Sequence, residues 1–92
     1  MSITRINNFR AREHCAAELK SFLTGILPDI RASAGCLSCE LLQDHADPTR
    51  IVIVEIWESI EAHRASLAQV SPESIRQAKQ FLAATPSGGY YS

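Results

Sequence analysis

The chain has 92 residues, of which 46% are hydrophobic and 21% charged, and its formal net charge is −1. These values are ordinary for a small globular protein, so residues 1–92 are predicted to form a single domain. The balanced charge provides no basic stripe for nucleic acid, and no apolar run approaches the roughly 20 residues of a membrane span.

The first third of the chain changes from a strand pattern to a helix pattern. Ser2–Phe9 is predicted to be a strand with imperfect alternation. Apolar residues then recur at spacings of three and four, which predicts an amphipathic helix from Glu13 to Ala34. Pro28 predicts a kink or a new helical turn within it, because proline lacks the amide hydrogen. Gly35 is expected to end the helix in the left-handed conformation.

The centre of the chain predicts an antiparallel hairpin. Cys36–Gln43 and Arg50–Trp57 have strand composition, and a polar turn at 44–48 separates them. Both faces of the second strand are apolar, whereas a small sheet with helices on one side normally leaves its other face polar. A second copy of the chain is the simplest cover for that face. The sequence therefore predicts a homodimer, which also suits the marginal stability of so small a domain.

The last third predicts two helices and a short strand. Ser59 can cap the first helix, Pro72 opens the second, and residues 88–91 form a weak strand. The inner side of the first helix is predicted to carry Ile60, His63, Leu67 and Val70. The order strand, helix, strand, strand, helix, helix, strand predicts an α+β fold. It is of the ferredoxin-like, split β-α-β kind, with one antiparallel sheet and its helices on one face.

One charged residue lies on an otherwise apolar strand face. Glu55 is one pleat from Trp57, the only tryptophan, and burying a lone charge is unfavourable unless it is paired or functional. His63 titrates near neutral pH and could take a proton from a phenol. The alternative is a core histidine bonded to Glu55. Glu55 could in turn orient His63, act as the base itself, or form a structural salt bridge to Arg5 or Arg50.

Two further residues complete the predicted pocket. Trp57 is expected to form a wall and to stack on a flat aromatic substrate. Asn7 could bind a substrate oxygen, or simply bond to the backbone. Strand alternation and the return of the following helix over the sheet predict that His63, Trp57 and Asn7 line one cavity.

The cysteines predict free thiols. Cys36 and Cys39 have the spacing of redox pairs, but residues three apart on a strand point to opposite faces. No set of histidines and carboxylates has metal-ligand spacing, so no metal site is expected. An odd count of three cysteines, with an N-terminus unlike a signal peptide, predicts a reducing cytoplasm.

Several short motifs together resemble a known family. They are Gly35-Cys36-Leu37-Ser38-Cys39-Glu40, Asp47-Pro48, Glu55-Ile56-Trp57-Glu58-Ser59 and Glu61-Ala62. Their order and spacing are similar to those of the antibiotic biosynthesis monooxygenase domain, a member of the dimeric α+β barrel superfamily. The resemblance implies a homodimer and, in each subunit, a pocket between the sheet and the helices.

The resemblance also implies a function. Some family members oxidise polycyclic aromatic phenols to quinones with molecular oxygen and no cofactor, and a related branch degrades haem. At two positions where quinone-forming members have polar residues, this chain has Ile53 and His63. Cys39 replaces the tyrosine that is usual in that strand of the family, and Ser66 replaces a histidine that is common in the following helix. The haem ligand of the related branch is missing, so haem is not expected.

The sequence thus predicts a cofactor-independent oxygenase for a small phenol or quinol. A non-catalytic dimeric domain that binds a small hydrophobic ligand, and an isomerase or tautomerase, remain as alternatives. The predicted catalytic residues are His63 and Glu55. The predicted substrate-binding residues are Asn7, Ile53, Trp57 and Cys39.

Overall fold

A computed structural model describes residues 1–92 and contains four strands and three helices. The elements are β1 (Ile3–Arg10), α1 (Ala16–Arg31), β2 (Cys36–Gln43), β3 (Arg50–Trp57), α2 (Ile60–Leu67), α3 (Pro72–Lys79) and β4 (Ser87–Tyr91). The strands form one antiparallel sheet in the order β2-β3-β1-β4. This confirms the predicted α+β, ferredoxin-like fold. None of the helices has the length and apolar content needed to cross a membrane.

The core forms where α1 packs on the central strand. Along β3, buried and half-buried residues alternate strictly, and Ile51, Ile53 and Trp57 are at most 1% exposed. Three leucines of α1, spaced four residues apart, pack on the same side of the sheet. They are Leu19, Leu23 and Leu27. The opposite face of β3 is only half-buried, because no helix lies over it.

The helix ends follow local chemistry. Ser59 and Ser71 cap α2 and α3, each accepting a backbone N–H bond with its hydroxyl oxygen at 3.1 Å. α1 runs continuously through Pro28 and ends at Arg31, so Gly35 is not its immediate cap. Gly35 does adopt the predicted left-handed conformation, with φ of 86°, in the turn that enters β2.

The predicted inner stripe of α2 is wrong in its second half. His63 is buried, but Leu67 and Val70 are 53% and 46% exposed. The reason is the shortness of the helix, which has eight residues and ends at Leu67. Val70 therefore lies beyond the helix, and only the first turns of α2 pack on the sheet.

The prediction that Cys36 and Cys39 point to opposite faces is also wrong. The pairing of β2 with β3 shifts by one residue between Cys36 and Ser38, as in a β-bulge. Cys36 consequently pairs with Trp57 and Cys39 with Glu55, which share the buried face. All three cysteines are free thiols. Burial, with a contribution from the charge of Glu55, raises the pKa of Cys39 to about 12, which suppresses its reactive thiolate.

The packing of β3 predicts a clear contrast between two isoleucines. Ile51→Ala should lower the free energy of unfolding by about 2–5 kcal/mol, because Ile51 is fully buried and leaves a cavity. Ile75→Ala on α3 is the matched control. Its side chain is 48% exposed, so the change should be within about 0.5 kcal/mol. Urea unfolding at one fixed protein concentration measures both, and equal losses would contradict this assignment of the core.

Candidate functional site

The strand register aligns one row of residues across the whole sheet. From β4 to β2, the row reads Tyr90, Arg5, Glu55 and Cys39. Residues that pair across strands share a face, so these side chains lie on the side that the helices cover. Trp57 follows Glu55 by two residues and shares that face.

Glu55 lies at the centre of this row and is 4% exposed. Its Oε1 accepts a hydrogen bond from the indole N–H of Trp57 at 2.8 Å. Its Oε2 accepts one from the amide of Asn7 at 2.7 Å. Burial raises the pKa of the Glu55 carboxyl, although the Trp57 bond, the charge of Arg5 and the Asn7 bond pull it down. Each carboxylate oxygen therefore has a donor, yet the pKa still lies above its ordinary value.

His63 projects from α2 onto this carboxylate. Its Nε2 is 3.9 Å from Oε1 of Glu55, and its Nδ1 is 2.7 Å from the hydroxyl oxygen of Tyr90. The imidazole packs edge-on against the rings of Trp57 and Tyr90, with centroids 5.4 Å away in each case. The residue is 4% exposed. Burial lowers the pKa of His63, and the charges of two nearby arginines lower it further.

The neighbours of His63 select one neutral tautomer. A proton on Nε2 faces the carboxylate of Glu55, whereas a lone pair at that position would face negative charge. We therefore infer that Nε2 carries the hydrogen and that Nδ1 accepts a hydrogen bond from Tyr90. Nδ1 is then the basic atom, and the group it contacts is the hydroxyl of a half-buried tyrosine.

Two arginines lie close to the ring of Tyr90. Arg5 donates from Nε to Oδ1 of Asn7 at 2.9 Å, and its guanidinium carbon is 4.8 Å from the centre of the Tyr90 ring. The guanidinium lies against the backbone of Gly88, where a Cβ would be 2.5 Å from Nη2. Only glycine leaves that space. The guanidinium carbon of Arg64, on α2, is 5.8 Å from the same ring centre.

The structure brings together the polar and aromatic residues of the predicted site, which are Asn7, Glu55, Trp57 and His63. Ile53 and Cys39 lie instead in the hydrophobic core, with 1% and 3% exposure, and their substrate-binding role stays a prediction. Two open grooves of about 510 and 270 Å³ are lined by other residues. Asn7, Glu55, Trp57 and His63 contact one another rather than line either groove.

Sequence reasoning missed the role of Tyr90. The glycine-rich end of the chain carried only a weak strand signal, and the pairing with β1 comes from tertiary structure. The alternative for Glu55, a salt bridge to Arg5 or Arg50, does not form, and Arg50 pairs with Asp44 at 3.8 Å. No group of three or more histidine, cysteine or acidic side chains is placed to hold a metal ion.

Comparison with known proteins supplies the family. The model of the antibiotic biosynthesis monooxygenase family (ABM) matches residues 2–84. The chain belongs to the ABM family. No curated protein matches the sequence.

Solved structures of other ABM proteins share the fold of this ABM chain. A candidate antibiotic biosynthesis monooxygenase from Deinococcus radiodurans is 25% identical, with a TM-score of 0.82 and coverage of 100% of this chain and 91% of that one. SnoaB from Streptomyces nogalater, a cofactor-independent oxygenase solved in a mutant form, is 19% identical, with a TM-score of 0.82 and coverage of 99% and 91%. A candidate antibiotic biosynthesis monooxygenase from Nitrosomonas europaea is 16% identical, with a TM-score of 0.88 and coverage of 99% of this chain and 88% of that one.

The buried imidazole of this ABM chain predicts a pH dependence of stability. The pKa of His63 is below the ordinary 6.5, so the unfolded chain binds this proton more tightly than the folded one. The stability that His63 contributes is therefore present above about pH 6.5 and lost as the pH falls through its lowered pKa. His63→Asn keeps a hydrogen-bonding group beside Tyr90 but cannot titrate. The free energy of unfolding of the wild type, relative to this variant, should decline on acidification.

Glu55 acts in the opposite direction. Its raised pKa gives stability that is present at low pH and lost as the pH rises through that pKa. The informative quantity is therefore the difference in the free energy of unfolding between the wild type and His63→Asn. Urea unfolding measures it across pH 5 to 8, about the range in which histidine titrates. Parallel pH curves for the two proteins would show that His63 titrates normally.

Proposed function

We propose that this ABM protein is a cofactor-independent monooxygenase that oxidises a small aromatic phenol or quinol with molecular oxygen. The observation that carries the proposal is the contact of 2.7 Å between Nδ1 of His63 and the hydroxyl of Tyr90, backed by Glu55 at 3.9 Å from Nε2. This arrangement is a buried base with a half-buried hydroxyl in front of it. The family match and the name of SnoaB support the reaction class.

The first step would be removal of a phenolic proton. His63 is itself buried, so the proton would pass from the substrate to the oxygen of Tyr90 while the proton of Tyr90 passes to Nδ1 of His63. The imidazolium that forms then places Nε2–H opposite the carboxylate of Glu55, which stabilises its charge. Glu55 is thus a supporting group for His63 rather than the base that contacts the substrate.

The second step would be the reaction with oxygen. The electron-rich anion transfers electrons to O₂ directly and forms a carbon–oxygen bond, so no metal or flavin is needed. For an anthrone, one oxygen atom becomes the new carbonyl, and the other leaves as water with the two hydrogens of the oxidised carbon. Trp57 and Asn7 already donate to Glu55, so the positive charge of the protonated His63 would offset the negative charge of the substrate anion.

One observation favours the alternative of a non-catalytic binding domain. Glu55, Trp57 and His63 are at most 4% exposed, so a ligand must displace or pass the half-buried Tyr90 to reach them. A protein that only holds a hydrophobic ligand would bind the same phenols without consuming oxygen. A tautomerase would use the same base and would likewise leave oxygen unconsumed.

Adjacent tyrosines provide a matched test of the oxygenase. Tyr90→Phe removes the hydroxyl that contacts His63 and should lower kcat by about 10²-fold or more, as the loss of a proton-transfer group does. Tyr91→Phe is the control, because Tyr91 is 54% exposed and alternates to the other face of β4. The measurement is oxygen consumption with a panel of hydroquinones and anthrones. Equal activity of the two variants would exclude Tyr90 from the reaction, and no consumption by the wild type would favour the binding domain.

We also propose a homodimer assembled through the open face of the sheet. Val52, Val54 and Ile56 of β3 are half-buried there, and Leu42 of the neighbouring strand is 51% exposed. Burying these side chains against a second copy would remove apolar surface from water. We further propose that residues 1–92 form one domain, since one sheet runs from Ile3 to Tyr91. The three free thiols support a cytoplasmic location.

A charge on the open face should prevent this assembly. Val54→Asp places a carboxylate at the centre of the proposed interface, and the variant should sediment as a monomer at micromolar concentration. The wild type should sediment as a dimer that buries more than about 1,200 Å² in total. Val70→Asp is the control, since Val70 is 46% exposed and follows α2, away from the sheet. A monomeric wild type would end the proposal.

A further inference from the structure

We propose that Arg5 and Arg64 together bind a carboxylate or phosphate group of the substrate, so that this site takes an anionic aromatic compound. The inference deepens the proposed function by naming the substrate class. It rests on that function only for the aromatic part of the ligand. The anion-binding part rests on the two guanidinium groups themselves and can be tested without turnover.

Arg5 is held rigidly and has unused donors. Its Nε is bonded to Asn7, its guanidinium lies over the ring of Tyr90, and Gly88 leaves room for it on the strand side. Nε is the one nitrogen of Arg5 with a hydrogen bond within the chain, so both terminal nitrogens remain available. A guanidinium fixed in this way has lost its flexibility before a ligand arrives. It presents the planar fork that matches a carboxylate or phosphate.

Arg64 adds a second positive charge at the solvent side of the same ring. It follows His63 on α2, is exposed, and makes no ion pair with any acidic side chain, nor does Arg5. Of the other exposed arginines, Arg10, Arg50 and Arg76 form ion pairs, and Arg12 and Arg31 donate to backbone carbonyl oxygens. The guanidinium carbons of Arg5 and Arg64 lie 4.8 and 5.8 Å from one ring centre, so two positive charges without an acidic partner lie around Tyr90 and would attract an anion.

The carboxylate opposite Arg5 does not supply that anion. Glu55 lies opposite Arg5 in the sheet and attracts it, but both Glu55 oxygens are already bonded, to Trp57 and Asn7. The Glu55 side chain is 5% exposed, whereas Arg64 is exposed to solvent. A cation–π contact with Tyr90 explains the position of Arg5 alone. It does not explain why α2 brings a second arginine to the same ring.

An anion at this position would also act on the base. The charges of Arg5 and Arg64 contribute to the lowered pKa of His63. A bound carboxylate or phosphate would offset both charges, so the pKa of His63 should rise when the ligand binds. The charged and titratable groups that face the imidazole are these two arginines, Glu55 and Tyr90. Binding of an anionic substrate would therefore make His63 a stronger base in the complex than in the free protein.

Three probes with the same ring system test the proposal. Naphthol, hydroxynaphthoate and naphthyl phosphate are titrated into the protein by calorimetry under nitrogen, so that no oxidation occurs. Both anionic probes should bind about tenfold more tightly than naphthol, as charge-assisted bonds to arginine provide. In Arg64→Ala this advantage should fall below about threefold, while the affinity for naphthol is unchanged. Added salt should reduce the advantage in the wild type.

Arg76→Ala is the matched control, because Arg76 is an exposed helix arginine on α3. It should keep the full preference for anionic probes. The histidine NMR signals give a second readout, since the pKa of His63 should rise on adding hydroxynaphthoate and rise less in Arg64→Ala. Equal affinity for all three probes, no binding of any probe, or an equal loss in both arginine variants would overturn the proposal. Failure of the proposed oxidation would leave these binding results intact.

Discussion

The arrangement of the site depends on keeping one carboxylate buried on an apolar strand face. Removing a charge from water is unfavourable unless donors replace its lost hydration, and Glu55 receives one donor on each oxygen. Trp57 is two residues further along the same strand and Asn7 is on the neighbouring strand, so alternation along β3 and the register with β1 determine where these donors point. The edge-on packing of His63 against Trp57 follows from the same arrangement.

Burial shifts the two titratable partners in opposite directions. It raises the pKa of Glu55 and lowers the pKa of His63, so each moves toward its neutral form. An imidazolium at His63 would lie 3.9 Å from the Glu55 carboxyl and would favour its ionised form.

Much of the fold and of the site could be predicted from the sequence, and the features that were not predicted were missed for physical reasons. The bounds of β2 and β3 were predicted correctly because strand composition and the polar turn agree locally. Alternation and helical spacing also brought Glu55, Trp57 and His63 together. The bulge in β2 was missed because an extra residue does not change the strand-like composition of the segment. Its effect on Cys36 appears only in the pairing with β3. Tyr90 was missed because its position depends on the register of an edge strand.

That edge strand has a redundancy in its sequence. In the observed register, Gly88 lies opposite Asn7 and Tyr90 lies opposite Arg5. Short edge strands specify register weakly, and a slip by one residue normally exchanges the two faces of a strand. Here the strand has two glycines in succession and then two tyrosines. A one-residue slip would therefore place Gly89 opposite Asn7 and Tyr91 opposite Arg5. A glycine would still lie under the guanidinium and a phenol would still face the imidazole. The last strand is therefore tolerant of the error to which strands of its kind are most prone.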